Sequence, residues 1–166
     1  MKMNLEADEY LKDIRDLDIE TLYKRGFRVI FLDIDNTLSP YYEKRPDDAV
    51  RSFLQEVSKT GFRVFILSNN TRSRVETYCE GLSVEYCYLS LKPFGLAYEY
   101  LIGKYKLDRK EIICIGDQLL TDILGGKIRK LYTIYVEPLG DKDNLPGKIS
   151  RFIEKEIFHH DAQGKM

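Results

Sequence analysis

The chain reads RVIFLDIDNTL from Arg28 to Leu38, an apolar run that ends in two carboxylates spaced two residues apart. Residues Val29–Leu32 predict a buried strand, because the run is too short for a helix and rich in β-branched and aromatic residues. Side chains two apart on a strand point to the same face, so we expect Asp33 and Asp35 together at its carboxyl end, where open α/β sheets bind ligands. Two carboxylates there repel each other and lose hydration, which indicates a metal or a chemical task. An ordinary polar turn is the alternative.

The bulk composition bounds the domain count and the class of partner. The 166 residues are enough for one domain with a hydrophobic core, and we predict a single domain over residues 1–166. The formal net charge of -1 gives no support to a general nucleic-acid binder, so no specific nucleic acid is expected as a partner. No apolar run approaches the ~18 residues of a membrane span, and the N-terminus lacks the apolar segment of a signal peptide. Three cysteines without close spacing disfavour a disulfide framework or a zinc site, so a reduced, cytoplasmic location is expected.

Apolar strand-like segments alternate with amphipathic helical segments from about residue 26 to residue 140. This alternation predicts a mainly parallel, five-stranded sheet with helices on both faces. The five predicted strands are Val29–Ile34, Arg63–Leu67, Tyr86–Leu91, Glu111–Ile115 and Tyr132–Val136. Helical flanks are expected at both ends, as one or two short helices in Glu9–Lys24 and a last helix in Leu145–Phe158. We expect both flanks to pack against the sheet, and a membrane role is the alternative for their apolar stripes.

Polar groups of particular kinds follow the next three predicted strands. They are Ser68–Asn70, then Lys92, then the acidic stretch Gly116–Asp122. In this order the chain resembles the haloacid dehalogenase (HAD) superfamily, and it looks closest to the YqeG family of capless phosphatases of subclass IIIA. The resemblance runs from about Val29 to Gly126 and extends to Asp8–Tyr10. It implies a Rossmann-like three-layer sandwich without a cap domain, and an enzyme that hydrolyses phosphoric monoesters.

The resemblance also implies which groups react. Asp33 would attack phosphorus and form an aspartyl-phosphate intermediate. Asp35 would protonate the leaving oxygen and then activate the water that hydrolyses this intermediate. Members of the superfamily with Asp at this position are mostly phosphatases. Lys92 would supply a fixed positive charge to the phosphate and to Asp33.

Mg²⁺ is the cofactor that the resemblance implies. Asp33, Asp117 and the backbone carbonyl of Asp35 would hold it, since a hard cation prefers oxygen ligands. Asp122 resembles the second acid of the family, which orients metal ligands or waters and pairs with Lys92.

The phosphoryl oxygens are expected to bind the Ser68 hydroxyl and the Asn69 backbone N–H, together with Lys92. Thr37 is expected to brace the loop that carries Asp33. Taken alone, several of these residues have an ordinary alternative as turn, cap or surface residues. Their joint occurrence after successive strands favours the catalytic assignment.

The spacing between the motifs leaves no room for a cap domain. From Thr37 to Ser68, and from Ser68 to Lys92, the sequence holds only one helix and one strand, so the site should be open. Open HAD sites tend to serve large substrates, and the relatives include phosphatidylglycerophosphate phosphatases. A phospholipid headgroup, met by peripheral membrane contact, is therefore the leading substrate hypothesis. Basic and aromatic residues at the rim, in Pro40–Arg45 and Arg72–Arg74, would suit an anionic partner or form a solvated face.

Two other function classes stay open. A non-catalytic binding or scaffold protein on a HAD fold would be free to lose Asp35 or Lys92, and neither is lost. A phosphotransferase or mutase would share the nucleophile but normally needs a cap. One departure from the expected family pattern is Lys127, where the closest relatives should carry Asn.

Overall fold

Six strands and five α-helices occur in residues 5–140, the part of the chain that the computed structural model describes. In chain order they are β1 (Glu9–Leu11), α1 (Ile19–Lys24), β2 (Val29–Leu32), α2 (Asp48–Thr60), β3 (Arg63–Leu67), α3 (Arg72–Cys79), β4 (Glu85–Cys87), α4 (Ala97–Tyr105), β5 (Ile112–Gly116), α5 (Leu124–Ile128) and β6 (Tyr132–Val136). The 3₁₀ turns are Ile14–Asp16 and Arg109–Glu111, and a π-helical turn is Leu119–Ile123. The predicted alternation of strands and helices is confirmed.

The strands form one parallel sheet in the order β1-β6-β5-β2-β3-β4. The predicted parallel sheet is confirmed, but the predicted number of five strands is wrong. The sixth strand, β1, lies in Glu9–Lys24, where the sequence predicts only helices. Its three residues are too few to show the alternation that marks a strand. The rest of that segment forms the Ile14–Asp16 turn and α1, in line with the predicted short helices.

Side-chain contacts attach the edge strand β1 to its neighbour β6. The Asp8 carboxylate accepts hydrogen bonds from the backbone N–H and the hydroxyl of Thr133, at 2.8 and 2.9 Å. The ring of Tyr10 lies 5.7 Å from the ring of Tyr135, between centroids. These partners are more than 120 residues away in sequence, so tertiary pairing decides the structure here rather than local pattern.

Different helices cover the two faces of the sheet, because side chains alternate along each strand. In β2, Ile30 and Leu32 pack with the residues of α1, α2 and α3. Phe31 points to the other face and packs with Phe65 and with Tyr98 of α4, with ring centroids 5.7 and 5.9 Å apart. The predicted three-layer sandwich is confirmed.

The stretches from Thr37 to Ser68 and from Ser68 to Lys92 are described in full, and neither contains a cap domain. The first holds a loop, α2 and β3, and the second holds α3 and β4. The predicted absence of a cap at these two places is confirmed, so neither insertion covers the carboxyl ends of the central strands.

The segment Leu145–Phe158 lies outside the described residues, so its helix stays a prediction. The single domain over the whole chain likewise stays a prediction. Within residues 5–140, no helix combines the length and the apolar character that a membrane crossing requires.

Candidate active site

The carboxyl ends of the three central strands lie side by side. β2 pairs in register with both β3 and β5, so the residues that follow these three strands meet at the carboxyl end of the sheet. They are Asp33, Ser68 and Asp117. The backbone N–H of Asp33 donates to the carbonyl of Ile115 at 3.1 Å. From β2, the next strands in the chain, β3 and β4, lie to one side in the sheet. The strands β5 and β6 that come after them lie on the other side of β2. The site therefore sits at the switch point where open α/β sheets bind ligands.

Lys92 joins the segments that form the site. Its ammonium donates to Oδ1 of Asp33 and Oδ1 of Asp122, both at 2.6 Å, and to the carbonyl of Leu67 at 2.8 Å. The side chain is only 3% exposed. Burial alone would lower the pKa of Lys92, but the carboxylates of Asp122 and Asp33 outweigh it and raise the pKa above its usual value. The lysine is therefore a permanent cation under physiological conditions.

Three buried carboxyl groups lie close together here, and two of them, Asp33 and Asp122, contact the lysine. One oxygen from each of Asp33, Asp117 and Asp122 lies within 4.8 Å of the others. Burial raises the pKa of Asp33 well above its ordinary value; Lys92 opposes this shift, and the neighbouring carboxylates Asp122 and Asp117 add to it. Three acids around one cation leave an excess of negative charge, which a divalent cation would neutralise.

The donor set fits Mg²⁺, because it consists of hard carboxylate oxygens. Both oxygens of Asp122 are already engaged, Oδ1 by Lys92 and Oδ2 by the backbone N–H of Gln118 at 3.2 Å. The expected assignment of Asp33 and Asp117 as the side-chain ligands stays a prediction.

Local backbone features place the two later acids. A Cβ at Gly116 would lie 2.2 Å from Cγ of Asp122, so only glycine lets that carboxyl group approach the end of β5. The π-helical turn Leu119–Ile123 carries Asp122 inward, where its side chain is 2% exposed. The hydroxyl of Thr37 donates to Oδ1 of Asp117 at 3.3 Å. Thr37 thus orients a predicted metal ligand, a contact that adds to its expected role in the loop.

Asp35 stands beside this cluster and is held by two donors that sequence reasoning did not include among the site residues. Nη2 of Arg74 donates to Oδ1 of Asp35 at 2.9 Å, and Nδ2 of Asn70 donates to Oδ2 at 3.2 Å. The Asp35 and Arg74 side chains are each 14% exposed, so Arg74 does not belong to a solvated face. The signal for Asn70 lay in the Ser68–Asn70 stretch that the family resemblance singled out.

Ser68 and Asn69 follow β3, as predicted, and also support neighbouring groups. The buried Ser68 hydroxyl oxygen accepts a hydrogen bond from the Asn70 backbone N–H at 3.1 Å. The Asn69 side chain clamps the backbone of Lys92: its Oδ1 accepts from the Lys92 N–H at 2.7 Å, and its Nδ2 donates to the Lys92 carbonyl at 3.2 Å. The side chain of Asn69 therefore positions the lysine, a role the sequence did not reveal.

The comparison with protein families agrees with this geometry. The model of the haloacid dehalogenase-like hydrolases matches residues 4–128. The chain belongs to this family. It is also 33% identical over 151 residues to "Probable phosphatase YqeG" of Bacillus subtilis, a match that covers 91% of this chain and 88% of that protein. The predicted resemblance, and the prediction of an enzyme of this family, are confirmed.

Two further comparisons place this HAD-like hydrolase among known proteins. It is 27% identical over 139 residues to phosphatidylglycerophosphate phosphatase 1, chloroplastic/mitochondrial, of Arabidopsis thaliana, covering 78% of this chain and 40% of that protein. An uncharacterized protein from Listeria monocytogenes serotype 4b has a crystal structure that superposes with a TM-score of 0.56 at 17% identity. That match covers 71% of this chain and 84% of the other, and it supports the fold.

Lys127, where we expect Asn in close relatives, forms an ion pair in this HAD-like hydrolase. The Lys127 ammonium donates to Oδ1 of Asp8 at 2.7 Å, with side-chain exposures of 26% and 33%. Asp8 is the residue that also binds Thr133 of β6. Lys127 therefore takes part in the attachment of β1, and it is not among the contacts of the Lys92 cluster.

Proposed function

We propose that this HAD-like hydrolase is a Mg²⁺-dependent phosphomonoesterase that works through an aspartyl-phosphate on Asp33. The observation that carries the proposal is the buried ammonium of Lys92 held between Asp33 and Asp122, with Asp35 two residues beyond Asp33. Burying these charges together is costly, and a catalytic task accounts for keeping them.

The first step would transfer the phosphoryl group to the protein. A carboxylate oxygen of Asp33 bonds to phosphorus while the bond from phosphorus to the ester oxygen breaks. The leaving oxygen takes its proton from the carboxyl group of Asp35, because an alkoxide is otherwise a poor leaving group. Arg74 and Asn70, which hold both oxygens of Asp35, would fix the direction of this proton transfer.

The second step would return the enzyme to its starting state. Asp35, now a carboxylate, takes a proton from water as the water oxygen bonds to phosphorus. The bond to Asp33 breaks, inorganic phosphate leaves, and Asp35 is protonated again for the next cycle.

The charge on the phosphate must be offset for a carboxylate to approach it. Lys92 supplies one fixed positive charge, and the Ser68 hydroxyl and the Asn69 backbone N–H are the proposed donors to the phosphoryl oxygens. Asp33, Asp117 and the backbone carbonyl of Asp35 would hold Mg²⁺, which would supply the remaining neutralisation when bound.

A large, accessible phosphate is the substrate class we favour. No cap covers the site at either of the two insertion points described above, so a headgroup or a macromolecular phosphate could reach Asp33. The similarity to a phosphatidylglycerophosphate phosphatase supports an anionic lipid headgroup within this class. Peripheral contact with a membrane would then bring enzyme and substrate together.

The test is phosphate release by the purified full-length chain with Mg²⁺. The panel would hold phosphoproteins, nucleotides, sugar phosphates and phosphatidylglycerophosphate in detergent micelles, with the D33N variant as the control. We expect release above the D33N background, greatest with the lipid. Release no greater than that of D33N across the whole panel would reject the phosphatase proposal and favour a binding protein.

A further inference from the structure

Four large apolar side chains stand exposed within eight residues around the catalytic lysine. Leu89, Leu91, Phe94 and Leu96 are 54%, 70%, 76% and 81% exposed, and together we call them the apolar rim. They follow β4, which is the edge strand of the sheet. Scattered exposed leucines are ordinary, but a concentration of such residues beside an active site indicates contact with another surface.

The backbone under the apolar rim is held in place on both sides. The N–H of Leu89 donates to the carbonyl of Asn70 at 3.0 Å, and the N–H of Ser90 donates to the carbonyl of Ser68 at 2.9 Å. The guanidinium of Arg129 donates to the carbonyls of Pro93 at 2.8 Å and Gly95 at 3.0 Å. These bonds fix the backbone of the loop, so the loop cannot fold inward without breaking them.

Two of the four residues also adopt an unfavourable backbone conformation. Leu89 has φ 47° and Leu91 has φ 52°, in the left-handed region that L residues other than Asn and Asp seldom adopt. Strain combined with exposure is unfavourable for the isolated protein, and such strain is typical of functional surfaces.

The chemistry around the apolar rim indicates which surface it meets. Between residues 86 and 100 the charged side chains are Lys92, buried in the site, and Glu99, which pairs with Arg109. At the borders, Arg72 lies over the ring of Tyr88 at 5.7 Å and pairs with Glu76, and Lys104 lies over the ring of Tyr100 at 5.3 Å, to the ring centroids. The surface therefore has leucine and phenylalanine side chains in its centre, and tyrosine and basic side chains at its border.

We propose that the apolar rim enters the headgroup region of an anionic lipid bilayer and holds the open active site against the bilayer surface. Leucine and phenylalanine gain from burial at that depth, tyrosine favours the interface, and basic groups attract anionic lipid. Side chains that are 70% to 81% exposed protrude from the surface, which suits a deformable bilayer better than a structured peptide. The proposal rests on the phosphatase function above, because Leu91 directly precedes Lys92 and so brings the headgroup to the site.

A fluorescent reporter tests the proposal directly, since the chain contains no tryptophan. The full-length F94W variant is mixed with vesicles of phosphatidylcholine, with or without phosphatidylglycerol. We expect its emission to move to shorter wavelength with the anionic vesicles and to move less at high salt. Unchanged emission with anionic vesicles overturns the proposal. Emission that is already at short wavelength in buffer also overturns it, because a second copy or residues 141–166 would then cover the rim.

Vesicle sedimentation supplies the matched controls. A double variant with Phe94→Ser and Leu96→Ser should bind anionic vesicles about tenfold more weakly than the unmodified chain. Ile128→Ser removes an apolar residue that is 47% exposed on α5 outside the rim, and it should bind normally. Equal binding by the double variant and the unmodified chain overturns the proposal.

A soluble phosphate ester separates this proposal from the proposed function. Normal ester hydrolysis by the double variant, together with weak vesicle binding, supports both. Normal ester hydrolysis without vesicle binding by the unmodified chain overturns the docking and leaves the phosphatase standing. Vesicle binding that depends on the rim, without hydrolysis of any ester, supports the docking and rejects the phosphatase.

Discussion

The guanidinium of Arg74 donates to the carboxylate of Asp35 at 2.9 Å, and so connects the start of α3 to the loop after β2. The same guanidinium donates to the carbonyl of Lys44 at 3.2 Å and lies over the ring of Tyr78, 5.2 Å from its centroid. With Asn70 on the other oxygen, the carboxyl group of Asp35 has little freedom to rotate. Such restriction would favour the proposed role of Asp35, because a proton donor must reach the leaving oxygen.

Arg74→Ala should lower kcat on a soluble ester by about tenfold to a hundredfold, because Asp35 would lose its orientation. KM should change much less, and Mg²⁺ binding should be retained. The matched control is Arg72→Ala, since Arg72 belongs to the same helix but is exposed and pairs with Glu76 at 2.7 Å. Steady-state kinetics would measure kcat and KM separately. A wild-type kcat in Arg74→Ala would refute the positioning role.

Asp33→Asn should abolish turnover and leave the fold intact. The amide is nearly isosteric but a far weaker nucleophile, so we expect a loss on the order of a thousandfold or more. The melting temperature should not fall, because Lys92 keeps Asp122 as its partner and the repulsion among the three acids decreases. Phosphate release and thermal unfolding would be followed together. Full activity in this variant would remove Asp33 from the mechanism.

Mg²⁺ should raise the melting temperature of the protein as well as support turnover. Binding to the folded state alone stabilises it, by about 2.7 kcal/mol at a hundred times the dissociation constant. Asp117→Asn should lose most of this thermal shift, because it removes one carboxylate of the cluster. Ca²⁺ should inhibit, since it accepts more ligands and could engage both oxygens of Asp33. Activity undiminished by a strong chelator would contradict the role of Asp117.

Asp8→Asn should destabilise the protein by about 1 kcal/mol at neutral pH, by weakening the attachment of β1. Burial alone would raise the pKa of Asp8, but hydrogen bonds from Lys127 and Thr133 outweigh it and hold the pKa below its ordinary value of 3.8. A carboxyl group with a lowered pKa in the folded state stabilises above 3.8 and loses that contribution as pH falls through the folded value. The difference between variant and wild type should therefore shrink in urea unfolding below pH 3.8. Exposed Asp16→Asn is the control, and a difference independent of pH would contradict the assignment.

Gly126→Ala should destabilise the fold, whereas Gly103→Ala should not. A Cβ at Gly126 would lie 2.6 Å from Cγ2 of Thr133 and 3.0 Å from Cβ of Cys114, so α5 would have to move away from the sheet. We expect a cost of about 1–3 kcal/mol from this overpacking. A Cβ at Gly103 meets nothing within 4 Å, and alanine there should stabilise α4 by about 0.5–1 kcal/mol. Chemical denaturation of both variants would measure the contrast, and equal effects would contradict the packing argument.

The sequence predicts those parts of the fold and site whose signals are local. The central strands are apolar runs that end in polar motifs, so their register and the meeting of Asp33 with Asp117 follow from topology. The three-residue strand β1 could not be recognised, because its partners in β6 lie far along the chain. The bond from Arg74 to Asp35 spans 39 residues and depends on how α3 packs. Periodicity within α3 carries no information about such a contact.

The ammonium of Lys92 reaches partners that lie 25, 30 and 59 residues away in sequence, at Leu67, Asp122 and Asp33. Forming this charge arrangement therefore requires closing three loops of chain at once, at a cost in conformational entropy. We expect that a partly folded chain with an incomplete sheet does not bring these partners together. Catalytic competence should appear in the last cooperative step of folding and disappear in the first step of unfolding.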